Sequence, residues 1–113
     1  MKIIKALEAP EVPNIHGVSA RGLYDSEHAQ VTMVTLQPGE ALKLHVTPVD
    51  VFIYVLEGGG VVEIGDEQEQ ASVDDLIDSP ARIPHRLMND GDAVFRFLVV
   101  KVPRPEQATK KPL

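Results

Sequence analysis

Few side chains in this sequence are equipped for chemistry at neutral pH. Four histidines stand at positions 16, 28, 45 and 85, and there is no cysteine. That absence excludes disulfides, thiolate nucleophiles and Cys-bound zinc together. His45 opens the stretch HVTPVDVFIYVLEGGG, just ahead of a strand-like apolar run, and His85 follows Pro84 in PARIPHRLMND. An imidazole titrates at about pH 6.5 and its neutral nitrogen ligates metals, so each ring offers acid–base work or metal binding. Ser19, Ser26, Ser72 and Ser79 stand in no nucleophile-elbow context. The glycines at 58–60 precede neither a helix nor a Gly-Lys-Ser/Thr sequence, and read as a hairpin turn instead of a phosphate cradle.

The elements that must position these rings are strands. KIIKAL is a short candidate strand at the N-terminus, followed by loop. VTMVTL, closed by the turn QPGE, is β-branched and apolar, and ALKLH alternates towards His45. VFIYVLEG and VVEIGDEQEQASV follow, joined across the glycines, with Gly65 and Asp66 marking a second hairpin candidate. DDLIDSPARIPHRLMND holds two short extended pieces broken by Pro80 and Pro84, and VFRFLVVKV is the longest apolar strand pattern. No segment sustains a helical period, and the regular Gly and Pro punctuation predicts an all-β sandwich or barrel in one domain.

Side chains alternate along a strand, so His45 and Thr47 share a face. If that parity continues, Val51, Ile53 and Val55 point inwards, and Asp50, Phe52 and Tyr54 outwards. Pro48 intervenes, and a bulge there would reset the alternation, leaving Asp50 either a surface acid or an inward ligand.

At 113 residues the chain suits one ordinary core. The expected organisation is an N-terminal strand with loops over 1–30, a barrel over 31–102 and a flexible tail over 103–113. A net charge of −6 argues against nucleic acid, which needs clustered cations. No apolar run is long enough to span a membrane. MKIIKALEAPEVP meets Lys5 and Glu8 before any signal-length apolar run, so cytoplasm is the expected location.

Two spaced patterns resemble the cupin family. Gly39, His45 after five intervening residues and the strand ending at Gly58 follow the first cupin motif; Pro80, His85 and Asn89 follow the second, with Arg82 in a glycine's place. The resemblance implies a double-stranded β-helix, or jelly-roll, barrel with His45 facing His85 across an apolar interior. Cupin metals take three histidines and a glutamate. Thr47 stands at the second histidine position, Val51 at the glutamate, and Asp50 one residue early. What is implied is a small organic ligand bound among His45, Thr47, Asp50, Val51 and His85, with no cofactor expected. The alternative is an isomerase-, decarboxylase- or dioxygenase-like enzyme, using His45 and His85 as acid and base or as ligands of a weakly held divalent transition metal. His16 and His28 match no motif position and are expected in loops, Lys43 beyond the rim, and Arg82 in an altered turn.

A homodimer is also expected. VFIYVL does not alternate with polar residues, and VFRFLVV interposes only Arg96, so one set of apolar side chains points away from the interior. Cupins commonly pair through an outer sheet face, and KIIKAL could exchange into the partner's sheet.

Overall fold

The computed structural model describes residues 1–106. Eight strands carry the fold: β1 Ser19–Asp25, β2 Gln30–Leu36, β3 Val51–Glu57, β4 Gly59–Ile64, β5 Glu67–Ser72, β6 Leu76–Ser79, β7 His85–Met88 and β8 Phe95–Lys101. They form two antiparallel sheets, ordered β1-β2-β8-β3-β6 and β5-β4-β7. The helical content of the described residues is one 3-10 turn at Ala6–Glu8. The expected all-β jelly roll is the observed class, as two facing sheets.

The alternation read from VFIYVL survives Pro48. Val51, Ile53 and Val55 are 2%, 1% and 0% exposed, whereas Phe52 is 38% exposed. On β8 the same period turns Phe95, Phe97 and Val99 inwards, against Val34 and Leu36 of β2 and Leu87 of β7. The two phenylalanine rings pack with centroids 4.9 Å apart. Each such buried side chain contributes roughly 1.5–3 kcal/mol by leaving water, so this interior is the source of the rigidity the site stands on.

Two expectations are overturned. KIIKAL is not a strand: residues 1–5 lie outside any element, and Ile3, Ile4 and Leu7 stay exposed. The strand of the first thirty residues is β1, which finds a partner in β2, whereas 10–12 only bridges the outer edge of β1. The glycines at 58–60 do not turn a hairpin, because β3 and β4 do not pair; they carry the chain from one sheet to the other. Gly58 has φ +71, and a Cβ on Gly60 would lie 2.3 Å from the Met88 carbonyl oxygen and 2.6 Å from the Phe95 ring. A corner that tight admits only glycine. Gly65 does turn the β4–β5 hairpin, with φ +58. The flexible tail expected over 103–113 falls largely outside the described residues; its first part is held where Arg104 pairs with Asp25 and donates its N–H to the His28 carbonyl.

Candidate functional site

The segment 41–45 does not form a full strand but lies beside β7, extending the smaller sheet through bridges Ala41–Met88 and His45–His85. His45 N–H donates to His85 O at 3.2 Å and His85 N–H returns to His45 O at 2.9 Å. The rings are therefore neighbours on one face of one sheet, with centroids 4.2 Å apart. They do not oppose each other across the interior, as the motif spacing suggested. Both are buried, at 6% and 4% exposure.

A third imidazole joins them. His16 sits in the loop before β1, its ring centroid 4.5 Å from that of His45. Asn14 builds that loop: its amide donates to the carbonyls of Val12 and Val18, while its oxygen accepts from the N–H of His16 and of Val18. Asx-type bonding of this kind fixes a short loop without help from a sheet. His28, by contrast, is the exposed loop residue expected.

Backbone partners assign each ring its tautomer. Lys43 N–H donates to His16 Nδ1 at 2.8 Å, so the neutral His16 ring carries its proton on Nε2. The Lys43 carbonyl accepts from His45 Nδ1 at 2.7 Å, and that of Ile83 from His85 Nδ1 at 3.3 Å, so in these two rings Nε2 is the acceptor. One donor stands beside two acceptors.

The three rings line a cavity of about 1060 Å³ together with Thr47, Leu42, Ile53, Leu87, Val99 and Lys101, opening towards the N-terminal segment. Thr47 is 2% exposed and its Oγ1 has no hydrogen-bond partner. Lys101 continues the inward parity of Phe95, Phe97 and Val99 along β8. The remaining candidates point elsewhere. Asp50 is exposed, its carboxylate accepting the Ala81 N–H at 2.8 Å, so it is a loop brace and not a ligand. Val51 is packed in the core and does not reach the cavity. Arg82 takes up a left-handed backbone of the kind glycine favours, with φ 65 and its N–H on the Thr47 carbonyl. His16 and Lys101 are the residues that the motifs did not mark. Parity along FRFLVVK would have turned Lys101 inwards; nothing local marks His16.

Burial dominates the electrostatics. It pushes His45 down to about 4, with the neighbouring His85 adding to the shift. It pushes His16 down to about 4 as well, helped by the charges of His85, Lys101 and Lys43. His85 is lowered by burial and by Lys101, and Lys101 itself is lowered by burial. Among the described residues no carboxylate acts on these rings, so at neutral pH the cluster is three uncharged imidazoles beside one amine.

A family model described as Cupin domain matches residues 32–101, the stretch from within β2 to the end of β8 that contains the His45–His85 pair. The chain is a cupin. It is 32% identical to the TT1209 protein of Thermus thermophilus, whose crystal structure superposes with a TM-score of 0.77 over 90% of this chain and 98% of that one. The polyketide cyclase RemF of Streptomyces resistomycificus matches with a TM-score of 0.85 at 23% identity, covering 100% of this chain and 86% of the other. A predicted oxalate decarboxylase of Thermotoga maritima matches at 0.80 and 22%, over 91% and 100%. At those identities the likeness is one of fold. The uncharacterized protein YrkC of Bacillus subtilis strain 168 is 28% identical over 88 residues, which are 72% of this chain and 47% of the relative; the chain spans about half the length of the curated relative it matches.

Cupins often bind metals, and the donor set of this cupin does not fit one. No group of three or more His, Cys, Asp or Glu among the described residues is arranged to hold an ion. The reason is chemical. His16 presents an N–H where a ligand needs a lone pair, Thr47 is a neutral hydroxyl, and Lys101 acts on His45 in the sense that disfavours a further cation. Two imidazole lone pairs remain, fewer than the three protein ligands a catalytic zinc keeps.

Proposed function

We propose that this cupin binds a small organic molecule in its cavity, against the edge formed by His16, His45 and His85, without a resident transition metal. The observation that carries the reading is the set of three imidazoles lining the cavity, with His16 presenting a donor and His45 and His85 presenting acceptors. Apolar walls with a few convergent polar groups are the usual anatomy of such a site. The acid–base enzyme reading is less well supported, because efficient proton transfer calls for a group titrating near the working pH, and His16 and His45 are pushed down to about 4. A small-molecule fragment screen, read by the imidazole signals in a proton–carbon correlation spectrum, tests the proposal. Hits should shift His45 and His85 together and weaken at least about tenfold in the double variant His45→Ala/His85→Ala, the loss expected for removing hydrogen-bond partners of a polar ligand. Hits that bind the double variant unchanged would place the site elsewhere.

We also propose that two copies pair through the outer face of the five-stranded sheet. Phe52 and Leu76 are 38% and 60% exposed there, on adjacent strands and flanking Tyr54 and Leu98. An apolar stripe of this kind is covered in most soluble proteins.

A further inference from the structure

The three rings that line the cavity differ in what they can give to a ligand. His16 receives the Lys43 N–H at Nδ1, which leaves its Nε2–H as a donor. His45 and His85 spend their Nδ1–H on the carbonyls of Lys43 and Ile83, which leaves two Nε2 acceptors. Those acceptors are not sealed in the packing. Among the described residues, the buried side-chain polar atoms without a partner are Thr47 Oγ1, Ser79 Oγ and Arg96 Nε, and the imidazole nitrogens do not join them. Ring centroids stand 4.5 Å apart from His16 to His45 and 4.2 Å apart from His45 to His85, so one small group can meet all three. Burial lowers each ring's pKa and keeps the set uncharged at neutral pH. Lys101 lines the same space but is already engaged. Two acceptors and one donor, all neutral, thus remain to address a ligand.

We infer that the cavity selects a neutral molecule carrying a primary carboxamide on an apolar body, its two N–H groups donating to His45 and His85 and its carbonyl accepting from His16 Nε2–H. This rests on the small-molecule reading and specifies its ligand class. A primary amide holds two donors on one nitrogen and an acceptor on the neighbouring carbonyl, the inverse of the ring set. Leu42, Ile53, Leu87 and Val99 would enclose the apolar body. The carboxylate of the same shape has acceptors only, and it would turn its lone pairs towards those of His45 and His85. A tertiary amide keeps the carbonyl but leaves both imidazole acceptors unpaired. A site built around N–H donors rejects an analogue that lacks them.

Calorimetric titration of the full chain with benzamide, N,N-dimethylbenzamide and benzoate tests the inference, with the imidazole signals of His16, His45 and His85 followed in parallel. Benzamide is expected to move the His45 and His85 signals and to bind at least about tenfold tighter than either analogue, the margin of hydrogen bonds lost in a buried site. His85→Phe keeps a ring and removes an acceptor, and it should cut the preference over the dimethyl amide at least about threefold. Equal binding of the dimethyl amide or of benzoate, or an undiminished preference in His85→Phe, overturns the amide selectivity and leaves the cavity reading standing. Failure of benzamide to bind at millimolar concentration also overturns it, and the cavity reading then stands or falls with the fragment screen. Benzamide binding that leaves all three imidazole signals unmoved overturns the cavity reading as well. Should His85→Phe fail to fold, the comparison of the three probes on the native chain decides the matter.

Discussion

His45 and His85 exchange both backbone hydrogen bonds, at 3.2 and 2.9 Å, and their rings lie 4.2 Å apart on one face of the same sheet. A directly opposed antiparallel pair holds its side chains in register whatever occupies the cavity. The geometry of the imidazole acceptors is therefore set by the sheet ladder, and only the third ring, on its Asn14-braced loop, depends on local loop structure.

The Lys43 backbone imposes opposite tautomers on the two rings, its N–H donating to His16 and its carbonyl accepting from His45. Nitrogen–proton correlation spectra at neutral pH should show the Nε2–H form for His16 and the Nδ1–H form for His45 and His85. Three identical tautomers would contradict the donor–acceptor pattern on which the ligand chemistry rests.

Stability should fall with acidification in a histidine window. In the unfolded chain these rings take up protons near the ordinary histidine value of 6.5, whereas His16 and His45 in the fold do so at about 4. The unfolded state therefore binds more protons between those limits, and stability that is intact above about 6.5 is lost progressively as the pH falls to about 4. The loss attributable to His45 is on the order of 2–3 kcal/mol. Urea midpoints measured across this range should slope steeply in the native chain and less so in His45→Asn; equal slopes would locate the proton uptake elsewhere.

Gly60→Ala should destabilise by about 3 kcal/mol or more, since overpacking a rigid interior costs that order of energy. The added carbon would meet the Met88 carbonyl and the Phe95 ring, and neither a ladder carbonyl nor a fully buried ring can retreat. Thermal or urea unfolding checks it, and a loss below about 1 kcal/mol would mean that the corner between the sheets is pliable.

Light scattering at micromolar concentration should give twice the 12.4 kDa chain mass. Phe52→Lys/Leu76→Lys, at two positions exposed on the outer sheet face, should return the protein to that single-chain value without unfolding it. A monomeric native chain would show that this face needs no cover.

Read alone, the sequence determined the β architecture and the inner face, because period-two burial is local: Val51, Ile53 and Val55 turned inwards as their spacing requires, and Pro48 did not reset them. It also placed His45 and His85 in the site through motif spacing. It misplaced their relationship, since motif spacing does not say whether two strands are neighbours or opposites; the ladder between 41–45 and β7 decided that. KIIKAL had strand composition, but a strand needs a partner edge, and the fold gave that edge to 10–12 instead. The glycines at 58–60 looked like a turn; that they pass between sheets depends on Met88 and Phe95, far along the chain. His16 was invisible for the same physical reason. Its role comes from contacts with Lys43 and His45 across 27 residues and more, and from burial that no neighbouring residue encodes.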